Sequence, residues 1–178
     1  MLTKEKVKTK NKSIIIMISC MLLFLLTSCS ENAIKTPDVV KVKGKMINYI
    51  SEKKDIENEL GEGTPIKVMF KNGYDYGNYI NVLYDEEENT RYIDVVSDKI
   101  DTINNIKVGD NISKVNKKYK SIEEQSSTYS VAFKGNEVID SKTITDKDDI
   151  IWISYHTDDN ERIDSIRIYD SEFAKYMK

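Results

Sequence analysis

Cysteine, histidine and glycine are scarce in this chain of 178 residues, and each scarcity removes a class of chemistry. No cysteine follows Cys29, so the body beyond it holds no intrachain disulfide and no cysteine-ligated zinc. His156 is the lone imidazole, which excludes histidine-rich metal sites and leaves no cysteine partner for a hydrolytic triad. The seven glycines are scattered, with no phosphate-binding loop and no Gly-x-Ser-x-Gly elbow to present a serine to His156. A surplus of cations is lacking too. Lysine and arginine number 27 against 30 acidic residues, and from Cys29 onward the count is 22 against 29. A body of net charge −7 argues against a dedicated nucleic-acid binder, which needs a cationic surface to release counterions.

Long apolar runs are absent except at the start. Lys4, Lys6, Lys8, Lys10 and Lys12 form a cationic leader, followed by the apolar run Ile14 to Leu26. Thirteen helical residues rise about 20 Å, short of the roughly 30 Å hydrocarbon core, so the run fits a signal-peptide core better than a membrane span. Leu26-Thr27-Ser28-Cys29 resembles the lipobox of bacterial lipoprotein signal peptides. The resemblance implies a diacylglyceryl (palmitate-class) group on the Cys29 thiol and removal of residues 1–28. Two acyl chains hold a protein firmly, at about 0.8 kcal/mol per buried CH₂. The expected location is the cell membrane, with the chain lipid-anchored and facing the extracytoplasmic side.

Beyond Cys29, residues 29–45 are polar, contain Pro37 and suggest a flexible tether, with a short strand near Val39 to Val42. Ser51 to Leu60 places Ile56 and Leu60 on one helical face, and Gly61 can end that helix. Ile66 to Phe70 alternates as a strand before Asn72-Gly73, a hairpin-type turn signal. Asn78 to Tyr84 and Tyr92 to Val96 suggest two further strands around the acidic turn Asp85 to Thr90. The order then recurs. A helix through Tyr119, capped by Asp110 or Asn111, presents Ile112, Val115 and Tyr119, and strands follow at 129–133, 150–155 and 163–169. Tyr84/Arg91 and Tyr155/Arg162 share one spacing, which suggests an internal repeat.

Ile106, Gly109, Ile112 and Val115, in the stretch IKVGDNISKVNKKY, resemble the helix-introducing motif of beta-lactamase-inhibitor-like and SmpA/OmlA-type envelope lipoproteins. The resemblance implies an α+β fold, with a helix packed on an antiparallel sheet. Two tandem helix-plus-three-strand repeats, 46–104 and 105–170, would form one continuous curved sheet, with a C-terminal tail or short helix at 171–178. The resemblance also implies binding rather than catalysis.

His156 has a solvated strand-end reading beside the chemical one. The carboxylate runs Asp85–Glu88 and Asp146–Asp149 lack the ligand order of a calcium loop, so no metal and no cofactor is expected. Tyrosine is the abundant item, with eleven copies, all after Cys29. Tyr74, Tyr76, Tyr79, Tyr155 and Tyr169 are candidates for a binding face, since tyrosine is enriched at interfaces; they are equally suited to a half-exposed sheet. Trp152 points away from Ile151 and Ile153, into the open face or into the core according to which side is covered. The expected function is a non-catalytic, lipid-anchored cell-envelope module that binds another envelope protein. The alternatives are a sugar, peptidoglycan or small-ligand binder, and an envelope hydrolase.

Overall fold

A computed structural model describes residues 39–176 apart from 69–70 and 103–104. The leader, the lipobox Leu26, Thr27 and Ser28, and Cys29 lie outside the described residues. Among the described residues no helix is long and apolar enough to cross a membrane.

Alternating apolar residues build two sheets. The small one is a hairpin of β1 (Val39–Val42) and β2 (Lys45–Asn48), extended by β7 (Asp101–Thr102) against β1. The large one contains β3 (Thr64–Val68), β4 (Lys71–Tyr76), β5 (Ile80–Tyr84), β6 (Thr90–Val95), β8 (Glu123–Gln125), β9 (Thr128–Lys134), β10 (Glu137–Ile139), β11 (Ile151–Thr157) and β12 (Ile163–Asp170). Its order is β10-β9-β11-β12-β6-β5-β4-β3, antiparallel throughout. At one edge β8 pairs the first half of β9 and β10 pairs the second. At the other edge lies β3, which carries Pro65.

This architecture corrects the α+β expectation. Among the described residues strand accounts for 48% and helix for 16%, so the fold is mainly β rather than a helix-packed α+β repeat. The helices are too short to form a layer. α1 (Lys53–Leu60) buries only Ile56, and α2 (Ser113–Lys118) buries only Val115. Ile112 and Tyr119 are buried as the apolar spacing suggested, but they flank α2 instead of extending it. The two halves also fail to join in tandem. β6, the last strand that the first half gives to the large sheet, pairs with β12, the last strand of the second. Both strands carry buried side chains on both faces, which favours central positions in a sheet.

The main core lies on one face of the large sheet. Ile80, Val82, Ile93, Val95, Ile166 and Ile168 meet Val40, Val42 and Ile47 of the small sheet, with Ile56 and Val115 filling the ends. Full burial of a side chain such as Ile56 stabilises by about 2 kcal/mol. Gly61 closes α1 in a left-handed conformation (φ 89°), its N–H donating to the Glu57 carbonyl at 2.8 Å. Gly73 serves differently. It lies inside β4 rather than in a turn, and a Cβ there would stand 2.7 Å from Leu83 Cδ2 and 3.0 Å from Val68 Cγ2. Its missing side chain is what lets β3 and β5 pack closely across it.

The seam between β6 and β12 ends in a side-chain rung. Beyond the pair Tyr169↔Tyr92, the Tyr49 hydroxyl donates to the Arg91 carbonyl at 2.7 Å and accepts from the Asp170 N–H at 2.9 Å. Burial, reinforced by Asp170, pushes the Tyr49 phenol well above its usual range, so it stays a donor. Arg91 then ties Asp170 (Nη1 to Oδ2, 3.0 Å) to Asp85 (Nε to Oδ2, 2.9 Å). Tyr49→Phe removes the rung and leaves two backbone groups unsatisfied. Urea unfolding is expected to show a loss of about 2 kcal/mol; a loss below about 0.5 kcal/mol would show the seam holds without it.

Candidate binding face

The face of the large sheet turned away from the small one carries three cross-strand rows. The first runs through Leu83 (β5), Tyr92 (β6), Tyr169 (β12) and Trp152 (β11), each the registered partner of the next. Tyr92 and Tyr169 stack with centroids 6.4 Å apart. The helix α3 (Ser171–Tyr176) follows β12 directly and lays Phe173 over both, at 5.1 Å and 6.2 Å. Four strands at about 4.8 Å spacing make this row about 14 Å long.

The second row is polar: Asn81, Asp94, Arg167, Ser154 and Ser130. Hydroxyls join Ser130 to Ser154 within this row at 2.8 Å and Ser154 to Tyr169 of the first row at 2.9 Å. Asp94 and Arg167 approach to 3.7 Å, too long for a hydrogen bond. The Tyr92 hydroxyl, Asp94 Oδ1 and Arg167 Nε are buried without a hydrogen-bond partner. The third row holds Ser165, His156 and Thr128, with Thr128 Oγ1 3.0 Å from His156 Nδ1.

Electrostatics follow from this packing. Burial, only partly offset by Arg167, pushes the Asp94 carboxyl up to about 6. Burial and then the Arg167 charge push His156 down to about 4, with Asp164 opposing. His156 is therefore neutral at physiological pH and half-buried in β11, rather than a solvated strand end. Its hydrogen bond goes to a threonine, not to a carboxylate that would orient a general base.

A cleft of about 680 Å³ opens at the end of the strands nearest Leu83. Tyr74, Tyr84, Arg91 and Phe173 line it, and the Lys53 ammonium lies 4.2 Å over the Tyr74 ring. The acidic runs close turns. Asp85 accepts from the N–H groups of Glu87 and Asn89, and Asp148 pairs with Lys134 and Thr145. No group of three or more His, Cys, Asp or Glu side chains poised for a metal occurs among the described residues.

Of the six aromatic candidates, the structure brings Trp152 and Tyr169 together. Tyr74 lies in the cleft. Tyr155 and Tyr76 belong to the core, 1% and 4% exposed, and their hydroxyls meet Tyr119 and Tyr84. Tyr79 packs on the core elsewhere, under Lys43. Sequence reasoning missed Tyr92, Asp94, Arg167 and Phe173. A signal existed for Asp94 and Arg167, each a single charge between apolar residues of a strand and so turned from the core by alternation. Comparison of the chain with protein-family models, with curated proteins and with solved structures finds no match in any of the three.

Asp94 and His156 make opposite demands in one pH window. The folded Asp94 pKa lies above its unfolded value near 3.9, so protonation stabilises the fold as pH falls from 7 toward 4. The folded His156 pKa lies below its unfolded value near 6.5, so stability is lost as pH falls through that same interval. Asp94→Asn is expected to be about 1–2 kcal/mol more stable than the parent at pH 7.5. Its stability should then fall between pH 7 and 4.5, while His156→Gln should gain there. Thermal unfolding across pH checks both signs; parallel profiles for the two variants would contradict the assignment.

Proposed function

We propose that the chain is a lipid-anchored, non-catalytic module of the cell envelope that binds another envelope protein through the Trp152–Tyr169–Arg167 face. The observation that carries this reading is the grouping itself. Tryptophan, tyrosine and arginine dominate the energetics of protein interfaces, and here one of each lies on adjacent positions of a sheet face opposite the main core. Trp152 and Tyr169 are partly exposed, and the Arg167 side chain is 32% exposed. The rows beneath are rigid strand backbone, so little ordering entropy is lost on binding. The basic leader, the short apolar run and the LTSC tetrapeptide support anchoring through Cys29.

Crosslinking capture from whole cells, read by mass spectrometry, tests the binding reading. Trp152→Ala should cut recovery of a specific envelope protein at least about tenfold and change stability by less than about 1 kcal/mol, whereas Tyr79→Ala, off the face, should leave recovery intact. Equal recovery with all three chains, or recovery of glycan and no protein, would overturn the protein-binding reading. Separately, Cys29→Ser should abolish incorporation of an alkyne-tagged fatty acid and shift the chain from the membrane pellet to the soluble fraction. Retention of label in that variant would overturn the anchoring.

A further inference from the structure

We propose that α3 is an intramolecular cover for the aromatic row, seated through Phe173, and that the partner of this face presents an aromatic side chain to the same seat. This rests on the protein-binding reading and adds what the partner must carry. The seat is built without α3. Val68 of β3, Leu83 of β5 and Tyr92 of β6 form a buried cluster on which Tyr169 of β12 and Phe173 pack, and β3, β4, β5, β6 and β12 are joined in that order along their backbones. The cover, by contrast, depends on the seat. Six residues are far too few for a helix to persist alone in water.

Among the described residues, the polar contacts of α3 lie at its start. The Phe173 N–H donates to Asp170 Oδ1 at 2.7 Å, the Ser171 N–H to the Ile150 carbonyl at 2.9 Å and the Ser171 hydroxyl to the Asp148 carbonyl at 3.4 Å; all three fix where α3 begins. Glu172 stands 3.9 Å from Arg91 with its side chain 78% exposed, an ion pair of little energetic weight. Among the described side chains of α3, Phe173 is the one that packs on the aromatic row. When it leaves, Leu83 and Tyr92 become continuous with Tyr169 and Trp152, and the contact surface doubles from two strands to four. The occupant already seated shows what the seat selects: an aromatic ring packed against two tyrosine rings, a geometry that contributes beyond its buried area.

The test uses the lipidated chain in detergent, intact or ended after Asp170, and a fluorescent peptide with the sequence of residues 170–178 (DSEFAKYMK). The shortened chain should remain folded, with a midpoint lower by a few degrees, and should bind anilinonaphthalene sulfonate severalfold more than the intact chain. It should bind the peptide saturably, with emission of Trp152, the sole tryptophan, shifting in parallel. The Phe173→Ala peptide should bind about tenfold more weakly or worse, and the intact chain should bind either peptide poorly. Unfolding of the shortened chain, unchanged dye binding, equal affinity for both peptides, or binding of a chitin oligosaccharide in place of the peptide would each overturn the proposal. Its failure is separable from that of the protein-binding reading. A captured protein lost on Trp152→Ala, with no effect of the seat, removes only the cover; peptide binding with no captured protein removes only the partner.

Discussion

The carboxylate of Asp170 sits where everything else in the large sheet converges. One oxygen receives Arg91 from β6, the other receives the first turn of α3, and the residue's own N–H meets Tyr49, the residue that follows β2. The side chain is almost wholly buried, so a change that removed one partner would strand the rest. This one residue thus ties together β6 of the first half, the segment that follows β2 and the start of α3. The site's geometry descends from it. Tyr169 and Tyr92, the last registered pair before the junction, are the same rings on which Phe173 rests.

Local signals carried a good share of this architecture. The alternation in β5, β6, β11 and β12, the helix around Ile56, and the Gly61 stop are all visible in the residues. Strand partnership was not. Antiparallel repeats of similar pattern can join first strand to last or last to last, and only the double-sided burial of β6 and β12 decides it. The α+β reading failed because apolar spacing around Val115 counted Ile112 and Tyr119 as helical, when both are buried from flanking backbone. Short strands such as β7, β8 and β10 hold too few residues to display a period. Asn72-Gly73 misled for a steric reason, since that glycine is selected by the Leu83 and Val68 side chains and not by a turn.

The candidate face was legible in part. Parity along β11 separates Trp152 from Ile151, Ile153 and Tyr155, so covering the isoleucine side was enough to place the tryptophan on the other. The same parity already split Tyr155 from Trp152, a distinction that the count of tyrosines obscured. Tyr169 joins Trp152 only through the β11–β12 register, and Tyr92 joins Tyr169 only through a pairing 77 positions apart in the chain. Asp94 and Arg167 meet across that same seam. A buried carboxylate left short of hydrogen bonds costs folding energy, and that cost falls on the face rather than in the core.

The two margins of the large sheet carry a further implication. On one side β8 and β10 divide the outer edge of β9 between them, each only three residues long, and on the other β3 places Pro65 in the outermost strand. Neither margin offers a long uninterrupted ladder of backbone donors and acceptors to a passing strand. For a chain held on a membrane, neighbours share a plane and meet far more often than they would in bulk solution. Interrupted margins would keep such crowded copies from stitching their sheets together edge to edge, so contacts of the large sheet with other chains would run through its faces instead of its edges.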